Sequence, residues 1–237
     1  MISDRASRNS HFRGGWRQGF VTELRLAVGF LTVFPVMPDC SIPEQHAASF
    51  ALFPLAGFAI GALLCIEEFL LAHVLGVALR SALIVLTLTI ITGGLHLDAL
   101  ADTADALGAG RDRVRALQIL RDSRIGAFGA AAIFFAIVLK IIALASAAEV
   151  NRYIMIFAAP GLSRWAMVAV CEGSDYLRAN GAGTTLLRNR TGGSFVLASC
   201  TAAIIVAAIM SRRLWCGAAA AAIITALMRW FYRRWLG

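Results

Sequence analysis

Charge is what this sequence has least of. Only 15% of its 237 residues are Asp, Glu, Lys or Arg, against roughly 25% in an ordinary soluble domain. A soluble fold of this length needs more polar side chains than that to cover its surface without large apolar patches. Lysine is almost missing: of the 22 basic residues, Lys140 is the single lysine and the rest are arginines. Acidic residues number 14, which leaves a net charge of +8. The five cysteines (Cys40, Cys65, Cys171, Cys200 and Cys216) form no CxxC pair and have no His at metal-ligand spacing. They read as small apolar residues rather than a zinc site. No internal repeat, low-complexity linker or separate polar domain is visible, so residues 1–237 read as a single domain.

What the sequence has in abundance is apolar surface. Hydrophobic residues make up 59% and the mean hydropathy is +0.74, the opposite of what disorder requires. The expected fold class is all-α, a polytopic integral membrane helix bundle, because helices satisfy their own backbone groups in lipid. Apolar windows near 47–66, 76–95, 127–148, 153–171, 194–210 and 214–230 are about the length of a bilayer crossing. A shorter window at 26–37 ends in Pro35 and Pro38 and reads as tilted, re-entrant or interfacial. The bundle is therefore expected to hold about 6–7 apolar helices.

Arginine sets the expected orientation. Arg5, Arg8, Arg13 and Arg17 precede the first apolar stretch. Arg111, Arg113, Arg115, Arg121 and Arg124 crowd the polar stretch 96–126, Arg178, Arg188 and Arg190 lie in 172–193, and Arg233 and Arg234 lie near the end. All four groups are expected in the cytoplasm, with 47–66 and 76–95 crossing and 26–37 not crossing. Arg212-Arg213 then falls outside, against the rule. The basic N-terminal segment is expected to be retained, because Glu23 and Arg25 interrupt the adjoining stretch and Pro35–Pro38 is no small-residue cleavage site. Cytoplasmic arginine accounts for the basic charge, and no nucleic-acid partner is expected.

Five of the 14 acidic residues lie between Asp98 and Asp122. On a helix Asp98, Asp102 and Asp105 stand at i, i+4 and i+7, which puts three carboxylates on one face. Such a face repels itself, and no Lys or Arg lies between 97 and 110 to offset it. A divalent cation would, and oxygen-only ligands suit Mg²⁺ or Mn²⁺ rather than zinc; Mg²⁺ typically bridges one or two carboxylates to substrate phosphates. Downstream, Arg121, Asp122, Ser123 and Arg124 precede Gly126 and Gly129. Guanidinium forks match phosphate oxygens, and Gly lets backbone N–H groups approach an anion at a helix start. Together the two segments read as a diphosphate clamp with metal on one side and Arg on the other. His96 stands two residues before Asp98 as a general base or a partner to it. Lys140 and Arg164 lie inside apolar windows, where a charge is expected to face a cavity or a partner.

These residues resemble a known family. The run GGLHLDALADTADALG (93–108) followed by LQILRDSRIGAFG (117–129) closely resembles the cobalamin synthase family, the adenosylcobinamide-GDP ribazoletransferases. Weaker similarity extends to FPLAGFAIGAL (53–63), Lys140 and Ser163-Arg164. The resemblance implies a Mg²⁺-dependent enzyme of the bacterial inner membrane, with 96–126 as its cytoplasmic catalytic segment. It would join adenosylcobinamide-GDP to α-ribazole or α-ribazole 5′-phosphate through the acceptor's 5′-oxygen or 5′-phosphate, releasing GMP. Asp98, Asp102 and Asp105 match the family's acidic motif, and Arg121, Asp122, Ser123 and Arg124 match its second motif.

The chain departs from the family pattern at Val33–Met37, at Ala99 and Ala106 where Gly is usual, and at its end. The family continues with a GGxTGDxxGAxxE segment, so the sequence is expected to be a shortened member. Another intramembrane phosphotransferase or prenyltransferase would carry a second Asp-rich motif. Beyond Asp122 the acidic residues are only Glu149, Glu172 and Asp175. A transporter would show paired broken helices or an inverted repeat, and neither is visible.

Overall fold

A computed structural model describes residues 19–36, 47–108, 110, 112–122, 124–173, 192–209 and 212–236. The arginines at 5–17, Arg111, the stretch with Arg178, Arg188 and Arg190, Cys40 and Ser123 lie outside the described residues.

The described residues are helical, with no strand among them. Helix α1 covers 19–31, and a 3-10 turn at Ala47–Leu52 leads into α2 (Phe53–Leu71). Then come α3 (Val77–Ile91), α4 (Leu95–Gly108), α5 (Arg113–Ile119), α6 (Ala127–Ala145), α7 (Glu149–Cys171), α8 (Gly192–Ala208) and α9 (Arg212–Leu236). Among the described residues four stretches are long and apolar enough to cross a membrane: Ser49–Leu71, Ala127–Ala145, Glu149–Cys171 and Leu214–Trp235. The α3–α4 pair, bent by 88°, makes a fifth if taken as one span.

The polytopic all-α bundle expected from the sequence is therefore present, but with fewer full-length helices. The window 76–95 contains a helix of 15 residues, which rises roughly 22 Å, short of a hydrocarbon core of about 30 Å. The window 194–210 likewise yields the 17-residue α8. In the first case the cause is Gly93-Gly94. Both adopt positive φ, 58° and 70°, where side chains other than Gly are disfavoured. The Gly94 N–H donates to Thr89 O and the Gly93 N–H to Ile90 O, each at 3.0 Å, a Schellman closure that satisfies the last carbonyls of α3. The chain then re-enters a helix at nearly a right angle. No broken helix is visible in the sequence, yet this pair is one.

Helices α2 and α7 form the centre. Three buried clusters lie along them: Ala27, Leu31, Phe53, Ala56 and Val168; Phe58, Ala158, Ala202 and Leu214; and Ile60, Leu64, Ile84, Ile91 and Ile156. Helix α6 is nearly unburied, with Phe134, Phe135, Leu139 and Ile142 exposed. That apolar surface suits lipid rather than water.

The α2–α7 contact rests on Gly57-x-x-x-Gly61. A Cβ at Gly57 would strike the Pro160–Gly161 backbone, and one at Gly61 would strike the Phe157 backbone. Small residues at this spacing let two helix backbones touch. Gly61→Ala is therefore expected to force the pair apart and cost about 1–3 kcal/mol, the scale of overpacking. It should appear as a lower unfolding temperature in detergent, and an unchanged temperature would refute the contact.

Candidate active site

The acidic helix and the arginine-rich turn meet at one side chain. Asp105 accepts the Gly126 N–H at Oδ2 and the Gly129 N–H at Oδ1, both at 2.8 Å. Gly126 is the N-cap of α6 and has no side chain with which to cap it. Asp105 therefore supplies the cap from a different helix, with the carboxylate at the positive end of the α6 dipole. A Cβ at Gly126 or Gly129 would run into this carboxylate, which explains both glycines. The sequence pattern offers these N–H groups to a substrate anion. The structure gives them to Asp105.

Asp98 and Asp102 lie on α4 one turn apart, Asp98 exposed and Asp102 half-buried. Among the described residues no three His, Cys, Asp or Glu side chains gather closely enough to hold a metal ion alone. Magnesium does not require such a cage, since it binds through one or two carboxylates together with substrate phosphates and water. Two hard-oxygen donors at this spacing fit that partial site, while both oxygens of Asp105 are already engaged with α6.

Helix α5 starts where the Asp112 side chain accepts from Val114 and Arg115 N–H groups at 3.0 and 3.1 Å. It ends at Leu120, and the turn after it carries the exposed Arg121. Next, Arg124 donates through Nε and Nη2 to Asp122, the shortest contact being 2.6 Å, and its backbone N–H donates to the same carboxylate. These bonds hold the Asp122 carboxyl at about 2, below its ordinary 3.8. The stabilisation is present above the ordinary value and is lost only as pH falls toward about 2, so the pair stays ionised at neutral pH. The fork of Arg124 is thus oriented before any ligand arrives.

His96, the second residue of α4, lies elsewhere. It lines a cavity of about 380 Å³ between α2, α3, α4, α6 and α7, together with Lys140 and Arg164. Both charged residues singled out inside apolar windows therefore face a cavity. Thr89, Thr92 and Ser163 also line it. Thr89 and Thr92 are not among the residues that the sequence singles out, and their position just before Gly93 is the available signal.

A second polar centre is missing from the sequence-based expectations. Arg152 donates Nε and Nη2 to the two oxygens of Glu68, at 2.7 and 2.8 Å, and Nη1 to Ser81 Oγ and Leu144 O. Arg80 also reaches Glu68. Glu68 and Arg152 are each 1% exposed.

Comparison with known proteins bears on the family. The family model described as CobS, cobalamin-5-phosphate synthase, matches residues 23–237. The adenosylcobinamide-GDP ribazoletransferase of Syntrophobacter fumaroxidans is 37% identical over 158 residues, covering 65% of this chain and 64% of the relative. That of Pseudomonas syringae pv. syringae is 33% identical over 187 residues, covering 77% and 76%, and that of Synechococcus elongatus 40% over 163 residues, covering 68% and 63%. The chain thus spans a little under two thirds of the length of several of these relatives. No solved structure matches it. With the matched region containing both motifs and the Asp105 link that joins them, the chain belongs to the cobalamin-5-phosphate synthase family.

Proposed function

We propose that this chain joins adenosylcobinamide-GDP to α-ribazole or α-ribazole 5′-phosphate in a Mg²⁺-dependent transfer. GMP is released, and adenosylcobalamin or its 5′-phosphate is formed. The relatives bear the name of this transfer. The single observation that supports it most is the bond from Asp105 to Gly126 and Gly129. It sets a carboxylate-bearing helix beside an arginine-bearing turn, the two chemistries a diphosphate needs.

Asp98 and Asp102 would hold Mg²⁺, which when bound supplies positive charge at the diphosphate. Asp105 positions the start of α6. Arg121 and Arg124, with Ser123 between them, supply guanidinium and hydroxyl donors to the leaving GMP, whose charge grows as its bond breaks. Asp122 keeps the Arg124 fork oriented.

A product that retains a 5′-phosphate cannot be formed through the 5′-oxygen. Another ribose hydroxyl must attack the cobinamide-side phosphorus. Its oxygen forms the new P–O bond, the diphosphate bridge breaks, GMP keeps the bonding pair, and the hydroxyl proton passes to a base. This replaces the 5′ attack expected from the resemblance. His96, two residues before Asp98, is the group we assign to receive that proton. In this reading 96–126 faces the cytoplasm from the bacterial inner membrane, an orientation supported by its arginine content.

The test is GMP release from adenosylcobinamide-GDP by protein in lipid nanodiscs. Release should need both an acceptor and Mg²⁺ and should stop on chelation. No release with either acceptor, or release indifferent to chelation, overturns the reading.

A further inference from the structure

The cavity lined by His96, Lys140 and Arg164 is not needed to hold the diphosphate, and its charges are unbalanced. Arg164 is 3% exposed. Its Nη1 donates to Ser163 Oγ at 3.0 Å and reaches toward Pro160 O at 3.5 Å, while Nε and Nη2 are buried with no partner among the described residues. Both nitrogens of His96 are likewise buried and unpartnered among the described residues. Lys140 comes in from α6, close enough to Arg164 for the two charges to repel. No acidic residue lines the cavity among the described residues, and the rest of its wall is largely aliphatic, with Leu64, Ile84, Leu88 and Ile156.

A buried guanidinium with two idle donors is expensive unless an anion completes it. Contrast Arg152, equally buried on the same helix, which is fully paired by Glu68, Ser81 and Leu144 O. The fold pairs one buried arginine of α7 internally and leaves the other open toward a cavity.

We infer that Arg164 and Lys140 form a phosphate-monoester subsite inside the bundle, and that its occupant is the 5′-phosphate of the acceptor. This rests on the proposed reaction, in which the 5′-phosphate survives and so needs a place away from the reacting diphosphate. The charges match: a phosphate monoester carries about −1.5 to −2 at neutral pH, against two fixed cations. The size matches too, because about 380 Å³ lies within the range of small-ligand pockets, roughly 300–1,000 Å³. A corrinoid joined to a guanosine diphosphate is far larger. The aliphatic wall suits a flat apolar base, and the same cavity brings the acceptor to His96.

The experiment compares α-ribazole 5′-phosphate with α-ribazole on wild type, Arg164→Gln and Lys140→Gln in phosphatidylcholine nanodiscs. The first readout is thermal unfolding with each ligand alone, which requires neither Mg²⁺ nor turnover. The phosphorylated ligand should stabilise wild type more than α-ribazole does, and the difference should shrink in both variants. The second readout is the ratio of kcat/KM for the two acceptors. It should fall roughly ten- to a hundredfold, the scale of a hydrogen bond to a charged group.

Arg164→Gln removes an unpaired buried charge, so its unliganded form should fold. Lys140→Gln, at an exposed position, provides a second variant. Equal stabilisation of wild type by the two ligands overturns the subsite, even if GMP release proceeds. Stabilisation by phosphatidic acid vesicles or inorganic phosphate that depends on Arg164, with none by the acceptor, also overturns it and assigns the site to a lipid headgroup or free phosphate. Selective stabilisation without GMP release would uphold the subsite and sink the proposed reaction.

Discussion

Asp102→Asn should silence turnover in a protein that still folds, whereas Asp105→Asn should loosen the fold itself. The two residues stand on the same face of α4, yet their work differs. Asp105 accepts two backbone N–H groups at the start of α6. An amide presents one acceptor oxygen and one NH₂, so one of the two bonds is replaced by a donor facing a donor. Loss of a hydrogen bond to a charged group costs about 1.5–3 kcal/mol, and the loss of charge at the α6 N-terminus adds to it. Unfolding in detergent should therefore shift to lower temperature for Asp105→Asn. Asp98→Asn relieves repulsion between carboxylates one turn apart and should leave that temperature level or raised, and Asp102→Asn should lower it less than Asp105→Asn does. Their GMP release, normalised to inserted protein, should fall by roughly a hundredfold or more if the pair binds the metal. Identical thermal behaviour of all three variants would remove the distinction between Asp105 and its neighbours.

That distinction shows how far the sequence can be read. Helical spacing alone places Asp98, Asp102 and Asp105 on one face, because three residues on one helix share a local geometry. It cannot show that Asp105 caps a helix 21 residues further on, since the partner is a backbone amide and leaves no mark in residue type. Gly126 and Gly129 do give access to their N–H groups, as their residue type suggests, but to a carboxylate of the same chain instead of a substrate anion. Hydropathy finds the apolar stretches but not where each helix ends. A scale that averages over a window registers Gly93-Gly94 as mildly apolar, whereas their positive φ ends α3 and turns the chain by 88°. Lys140 and Arg164 are legible as cavity-facing because charge within an apolar stretch is costly. Arg152 lies at the start of a helix and has the look of an ordinary boundary residue. Only the tertiary fold reveals its pairing with Glu68.

That pairing carries the largest expected stability effect. The carboxylate that holds Arg152 is Glu68 on α2, which also takes Arg80 from α3. Glu68→Ala leaves two guanidinium groups facing one another around a cavity where water is scarce. Breaking a buried ion pair by removing one partner costs about 3–5 kcal/mol, most of it the uncompensated charge that remains. The helices joined here are α2, α3 and α7, with α6 attached through Leu144 O, so the loss should loosen the bundle at one end as a unit. The expected result is a large drop in unfolding temperature and reduced insertion. The double variant Glu68→Leu with Arg152→Met should recover much of the loss, because an apolar pair of similar volume often equals a buried ion pair. Arg80 would remain, 12% exposed, and is able to turn its head toward the polar boundary as long cations do. If the single variant unfolds at the wild-type temperature, the bridge contributes little. If the double variant is as damaged as the single one, the cost lies in lost hydrogen bonds to Ser81 and Leu144 and not in the stranded charge.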